Sequence, residues 1–270
     1  MTVPRGKKYP LGRTPGVSAP GRLMLTNYME EPLPVWNGND DFTINAKGQT
    51  IKDYGMLGNG PDPLVTNQGP GFVGAGDCGL ASDYHTNMIN ALTAFEAIPP
   101  VSGQVPNEVV AEYFVYDGGQ DNGVDLWSWL TYRLTHTLAG LPKLAGIAQV
   151  NPHGQEFQAA IHLFGVGYAG ILVSSEAMNQ AENDPPQPWT SLATDWIGGH
   201  AVPIVARNAS IGKCITWGFV QEFSWPWWKV AAEEMFVILS PEIMATPGGV
   251  YHGVAVAKLK EDIQKLKGTL

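Results

Sequence analysis

The sequence predicts an α+β domain, with helices in its first two thirds and strands in its last third. Two observations carry this. Apolar residues recur at helical spacing up to about residue 164. Beyond it they fall in short runs rich in β-branched and aromatic side chains, bounded by Gly, Pro, Ser or Asn. Helices first and strands later is the order of segregated layers, not of alternating βαβ units.

Along the chain, residues 1–50 read as an extended arm. MTVPRGKKYPLGRTPGVSAPGR is rich in Pro, Gly and basic residues and has neither helical nor strand period. Residues 51–245 form the domain proper. There Leu80, Ala81, Tyr84, Met88, Ala91, Leu92 and Phe95 repeat at helical spacing, Asp77 stands at the N-cap position, and Pro99-Pro100 closes the segment. The pattern predicts a helix from Cys78 to about Phe95. NEVVAEYFVY, 107–116, predicts a second helix. VDLWSWLTYRLTHTLAG, 124–140, predicts a third that runs to a Gly140 cap, and QEFQAAIHLFG, about 155–164, a short fourth. The strand runs are GYAGILVSS, HAVPIVARN, KCITWG and EMFVILS, and SWPWWKVAA predicts a short helix with Pro226 in its first turn. Residues 246–270 form a tail in which Leu259, Ile263 and Leu266 line one face of a short amphipathic helix, docked on this domain or on a neighbour.

Composition narrows the function classes. The net charge of −9 argues against nucleic-acid binding, because phosphate contacts need clustered Lys and Arg. The basic residues that do cluster, Arg5, Lys7, Lys8 and Arg13, then Lys258, Lys260, Lys265 and Lys267, sit at the two ends and read as solvated. No run approaches the roughly 20 apolar residues of a membrane helix, and the basic N-terminus lacks the apolar stretch of a secretory signal. Two cysteines make no disulfide framework, and Cys214 reads as an inward strand position, so a reducing compartment is expected. His136, His153, His162 and His252 have no Asp, Glu or Cys partners at ligand spacing, so neither a metal nor a cofactor is expected. His85 reads as a surface or packing residue, and Trp127, Trp129, Trp225, Trp227 and Trp228 as packing.

Two residues bear chemistry. Cys78 opens the first helix, where unpaired N–H groups and the positive end of the dipole favour the thiolate. The plainer reading is a buried, inert cysteine packed as a small hydrophobe. His200 follows Gly198-Gly199, which lets another stretch of chain approach closely, and its ring is expected at a strand start facing a cleft.

Together these segments resemble the papain-like cysteine peptidases over about residues 53–242. NQGPGFVGAGDCGLASDYHTNMI resembles the segment in which Gln and Cys precede the central helix of that family. GGHAVPIVA resembles its His segment, and CITWG followed by FVILSPE its closing Asn-Ser-Trp-Gly and last strand. The GDC, GGHAV and CITWG segments also resemble uncharacterised papain-like proteins encoded by tailed bacteriophages. The resemblance implies a two-lobed fold, helical lobe first and antiparallel β lobe second. It implies Cys78 as nucleophile, His200 as general base, Gln68 as a side-chain oxyanion donor and Trp217 as a shield over the cleft.

Two positions depart from the family pattern. Its orienting Asn falls on Ile215, which cannot hydrogen-bond an imidazole; the neighbouring Thr216 reaches His200 only with a one-residue slip of register. Gln68 lies farther ahead of Cys78 than the family spacing, with Asn67 and Asn59 as alternatives. Two functions follow as expectations. One is a thiol hydrolase acting on a peptide or isopeptide bond of a polypeptide substrate. The other is a catalytically weakened structural component of a phage virion, joined to neighbouring subunits or to copies of itself through the arm. The expected setting is host cytoplasm or virion.

Overall fold

The computed structural model describes residues 11–16, 21–33, 35–36, 38–41, 75–95, 107–154, 156–217 and 219–269. After a 3-10 turn at Leu25–Tyr28 and a two-residue strand β1 (Asp40–Asp41) come three helices, α1 (Cys78–Phe95), α2 (Asn107–Tyr116) and α3 (Leu126–Arg133). The β half follows, as β2 (Gly146–Val150), α4 (Phe157–Phe164), β3 (Gly167–Ser174), α5 (Ser175–Glu182), β4 (Trp196–Arg207), β5 (Ile211–Thr216), β6 (Phe219–Ser224), α6 (Trp225–Ala231) and β7 (Ala232–Leu239). The chain closes with α7 (Pro241–Met244), a small hairpin β8 (Val250–Tyr251) and β9 (Val254–Ala255), and α8 (Val256–Lys267). Among the described residues an antiparallel sheet runs β2-β7-β3-β4-β5-β6, with β1 added along β4. Helices first and strands later is therefore the observed order.

α1 spans the residues its apolar pattern predicts, and Leu80, Ala81 and Tyr84 are buried. It lies on β4, where Ser82 Oγ donates to the carbonyl of Ala201 at 2.8 Å. Tyr168 of β3 donates to the carbonyl of Gly79 at 2.9 Å. These bonds lock the first turn of the helix against the middle of the sheet.

α3 stops seven residues short of the predicted Gly140 cap. The cause is Arg133, whose side chain is fully buried. Its Nε lies 2.7 Å from Asp83 Oδ2 of α1, Nη2 donates to the carbonyl of Pro142 at 2.9 Å, and Nη1 donates to the carbonyl of His136. A buried guanidinium needs acceptors for all its N–H groups, and the loop turns to bring two carbonyls to it. Gly140, at φ 83, sits in a tight turn where Leu138 and Leu141 exchange backbone hydrogen bonds.

At the other end, Leu259 and Ile263 of α8 are buried. Tyr28 donates to Asp262 at 3.1 Å, and Glu30 N donates to the carbonyl of Gly253 at 2.7 Å. The tail thus docks on its own chain, against the root of the N-terminal segment. No helix among the described residues is long and apolar enough to cross a membrane.

Candidate active site

Cys78 is the first residue of α1, a free thiol only 3% exposed. Asp77 does not cap the helix as the sequence predicts. Its backbone carbonyl accepts from Ala81 N, but neither carboxyl oxygen has a hydrogen-bond partner among the described residues, and burial pushes its pKa well above the usual carboxylate range. His200 lies four residues inside β4, not at its start, because the strand already pairs with β3 from Trp196. The backbone N–H of Ala201, next to His200, faces the Cys78 sulfur. With the Ser82–Ala201 bond, this brings the helix start and the His200 segment to one cleft.

The ring of His200 is held on two sides. Nε2 is 2.7 Å from Thr216 Oγ1, and Trp217 stacks on the ring with centroids 4.5 Å apart and planes within 15°. Nδ1 is buried without a hydrogen bond among the described residues. The expectation that the orienting position falls on apolar Ile215 is corrected here. The register Ile204↔Cys214 places those two residues on one face of the sheet. Four residues back along β4 is His200, and two residues on along β5 is Thr216, so both share that face. Ile215 points the other way, into a small cluster with Ile89, Val166 and Val205. No slip of register is needed. Thr216 pairs with Phe219 across the turn to β6, and Trp217 enters that turn at φ 46, which folds its indole back over the imidazole.

The cleft is occupied by the chain's own arm. Arg13 N donates to the carbonyl of Gly199 at 3.0 Å on the His200 side. On the helical side, Val124 N donates to the carbonyl of Gly12 at 2.9 Å and Thr14 N to that of Val124 at 3.0 Å. The N–H of Gly12 faces the Cys78 sulfur. The fit leaves no room for side chains. A Cβ on Gly12 would lie 1.9 Å from the carbonyl oxygen of Gly76, and one on Gly199 would lie 2.5 Å from that of Arg13. The glycine pair before His200 thus admits the arm itself. An open pocket of about 160 Å³ remains beside it, walled by Arg13, Pro15, Leu172 and Trp196.

Burial controls the charge state in this closed form. Desolvation pushes the Cys78 thiol up to about 12, opposed by the Ala201 N–H and reinforced by Asp77, with smaller lowering effects from the Gly12 N–H and Arg13. Desolvation also lowers His200 to about 3. Burial thus favours the neutral thiol and the neutral imidazole, against the thiolate that the helix-start position of Cys78 leads one to expect. Gln68, with Asn67 and Asn59, lies outside the described residues. Cys214 is fully buried and free, and His85 and the five tryptophans read as packing are buried or half-buried.

The acidic pair that holds the arm is not marked by any motif in the sequence. Arg13 reaches from the cleft to β7, where its Nε and Nη2 lie 3.1 and 2.7 Å from Glu234 Oε1 and its Nη1 bonds Glu233. Burial lowers the Arg13 pKa, but Glu234 and Glu233 outweigh it and the net shift is upward.

No family model matches the sequence, and no curated protein matches it significantly. Solved structures do match in fold. Xylellain, a cysteine protease from Xylella fastidiosa, superposes with a TM-score of 0.60 over 89% of this chain and 99% of its own, at 13% identity. Procathepsin B S9 from Trypanosoma congolense gives 0.51 over 86% and 85%, at 11% identity. A structure concerning the mite allergens Blo t 1 and Der p 1 gives 0.52 over 80% and 76%, also at 11%. The fold of this chain is papain-like.

Proposed function

We propose that the chain is a papain-like thiol hydrolase of peptide or isopeptide bonds, held latent by its own arm. What supports this reading is the Ser82–Ala201 bond that ties α1 to the His200 segment, with the imidazole held by Thr216 and Trp217 and its Nδ1 without a hydrogen-bond partner among the described residues. A ring held at Nε2 with Nδ1 unpaired is poised to take a proton from a thiol. When the arm leaves and water enters, the Cys78 proton passes to Nδ1. The sulfur then adds to the carbonyl carbon, and its bond to the leaving amine breaks as His200 returns the proton to nitrogen. Water releases the acyl group from sulfur by the reverse proton path. Gln68 carries the role its resemblance implies, a second donor to the oxyanion.

The test is proteolysis by R13A, which loosens the arm without touching the cysteine or histidine. The expected result is cleavage of peptide substrates, abolished by C78A. R13A protein that alkylates rapidly at Cys78 yet cuts no peptide amide or isopeptide would sink the hydrolase. A second reading has the plugged cleft in its favour: a papain-like structural component, in a phage particle or elsewhere, whose arm fastens it to its neighbours. It predicts that arm-loosened protein stays inert and changes its assembly instead.

A further inference from the structure

Gly12, the arm residue whose N–H faces the Cys78 sulfur, lies in a slot one peptide backbone wide. A Cβ on Gly76 would lie 2.8 Å from Gly12 Cα, and one on Gly123 would lie 2.0 Å from the Gly12 carbonyl oxygen. The two walls come from separate stretches of chain. Gly76 belongs to the turn that delivers Cys78 to the start of α1, and Gly123 precedes Val124, whose N–H and carbonyl both bond the arm. Something must fix the width of such a slot, because an error of about 1 Å shuts out the backbone or loses the bonds to it.

A short chain of hydrogen bonds joins the two walls. Gly76 N donates to Asp121 Oδ1 at 2.7 Å, Tyr113 Oη donates to the same oxygen at 2.7 Å, and Gly123 N donates to Tyr113 Oη at 2.9 Å. The phenol gives a proton to one side and accepts one from the other, which only a hydroxyl does. Burial and the bond to Asp121 push its pKa above the usual range, so the proton stays on oxygen at neutral pH. Tyr113 is buried on α2, a rigid mount. The loop that carries Asp121 is fixed independently by Asp117, whose Oδ2 accepts from Asn122 N at 2.8 Å. Asp121 itself stands at the surface, so its carboxylate can be altered without disturbing the core.

We infer that Asp121 and Tyr113 are positioning residues, whose relay sets the spacing between the thiol-bearing turn and the Gly123–Val124 wall, and so the grip of the cleft on any backbone lying in it. For peptide cleavage this rests on the hydrolase reading; for the arm it does not.

The experiment uses the full chain and its D121A, Y113F and D121N variants, with iodoacetamide labelling of Cys78 followed by peptide mass spectrometry well below the unfolding transition. D121A and Y113F are expected to label about 5- to 30-fold faster than the unaltered chain, the factor that one or two lost hydrogen bonds supply. D121N keeps an oxygen for both donors but removes the charge felt by Asp77, and should stay within about twofold of the unaltered chain. Fully buried Cys214 should not speed up in any of them. On the R13A background, Y113F and D121A should raise KM and lower kcat for a peptide, and D121N should restore both. Unchanged Cys78 labelling in both D121A and Y113F overturns the positioning role. So does a parallel rise of Cys78 and Cys214, which marks general loosening of the domain, or D121N behaving as D121A, which assigns the effect to charge. If R13A cuts no peptide, the hydrolase reading falls and the labelling results alone decide the relay.

Discussion

Thr216 Oγ1 lies 2.7 Å from His200 Nε2, on a residue only 1% exposed. At that burial the hydroxyl is shut off from bulk solvent. T216V keeps the shape and removes the bond, leaving a buried ring nitrogen unpaired, and should cost about 1–3 kcal/mol in urea unfolding. T216S, which keeps the oxygen, should recover most of it. Equal stability of T216V and wild type would show that the bond does not hold the ring.

Thiol labelling reports the arm directly. With Cys78 pushed up to about 12, its thiolate fraction in the closed form at neutral pH is roughly a thousandfold below that of an ordinary thiol. Iodoacetamide should therefore label Cys78 slowly in the unaltered chain, and at least about tenfold faster in R13A. In R13A, adding H200A should slow labelling near pH 6 more than near pH 9. Buried Cys214, also pushed up by desolvation, is the internal control. Equal Cys78 rates with and without Arg13 would mean that the arm does not guard the thiol.

The strut between α1 and α3 is a separate stability test. Asp83 and Arg133 are both fully buried, and Asp83 also accepts from Trp129 Nε1 at 3.1 Å. D83N or R133M strands the other charge and should cost about 3–5 kcal/mol. R133K should not restore it, because lysine cannot bond Asp83 and two carbonyls in diverging directions. Chemical denaturation gives the values; a loss under about 1 kcal/mol would refute the strut.

The His200 shift sets a pH dependence. Its folded pKa of about 3 lies below the ordinary 6.5, so the unfolded chain binds the proton first. Stability from this group is complete above about pH 6.5 and falls as pH drops towards 3, by roughly 2 kcal/mol between pH 6.5 and 5. The raised Asp77 works in the opposite direction over this range, but it is common to both proteins when wild type is compared with H200Q. Wild type should lose stability relative to H200Q on that descent. Parallel curves would show that His200 is solvated.

How much of this was legible followed from how local each signal is. α1, α2 and α4 were readable because their apolar period lies within one helix, and Pro226 marked α6. α3 was read too long because its end is imposed by Arg133 reaching a loop and a helix fifty residues away. β2, α5 and β6 were not identified; β6 alternates Phe, Gln and Phe over only six residues. Cys78, His200 and Trp217 carried motifs. Thr216 was visible but placed on the wrong face, since which side of β5 faces His200 depends on the pairing Ile204↔Cys214. Glu233 and Glu234 bore no sign of their role, which arises from a bulge and from an arginine 221 residues away.

The arm is anchored a few residues past the cleft, where Leu23, Leu25 and Tyr28 sink into the core. So short a tether keeps the plug at an effective concentration on the order of millimolar beside its own cleft, whatever the protein concentration. Weak contacts then suffice to keep it seated, and dilution cannot unseat it. One hydrolysed peptide bond between Gly16 and Gly21 would end that arrangement. The freed segment would face competition at its true concentration, diffuse away, and have no route back. On the latent-hydrolase reading, closure would be reversible while the chain is whole, and opening would become permanent once it is cut.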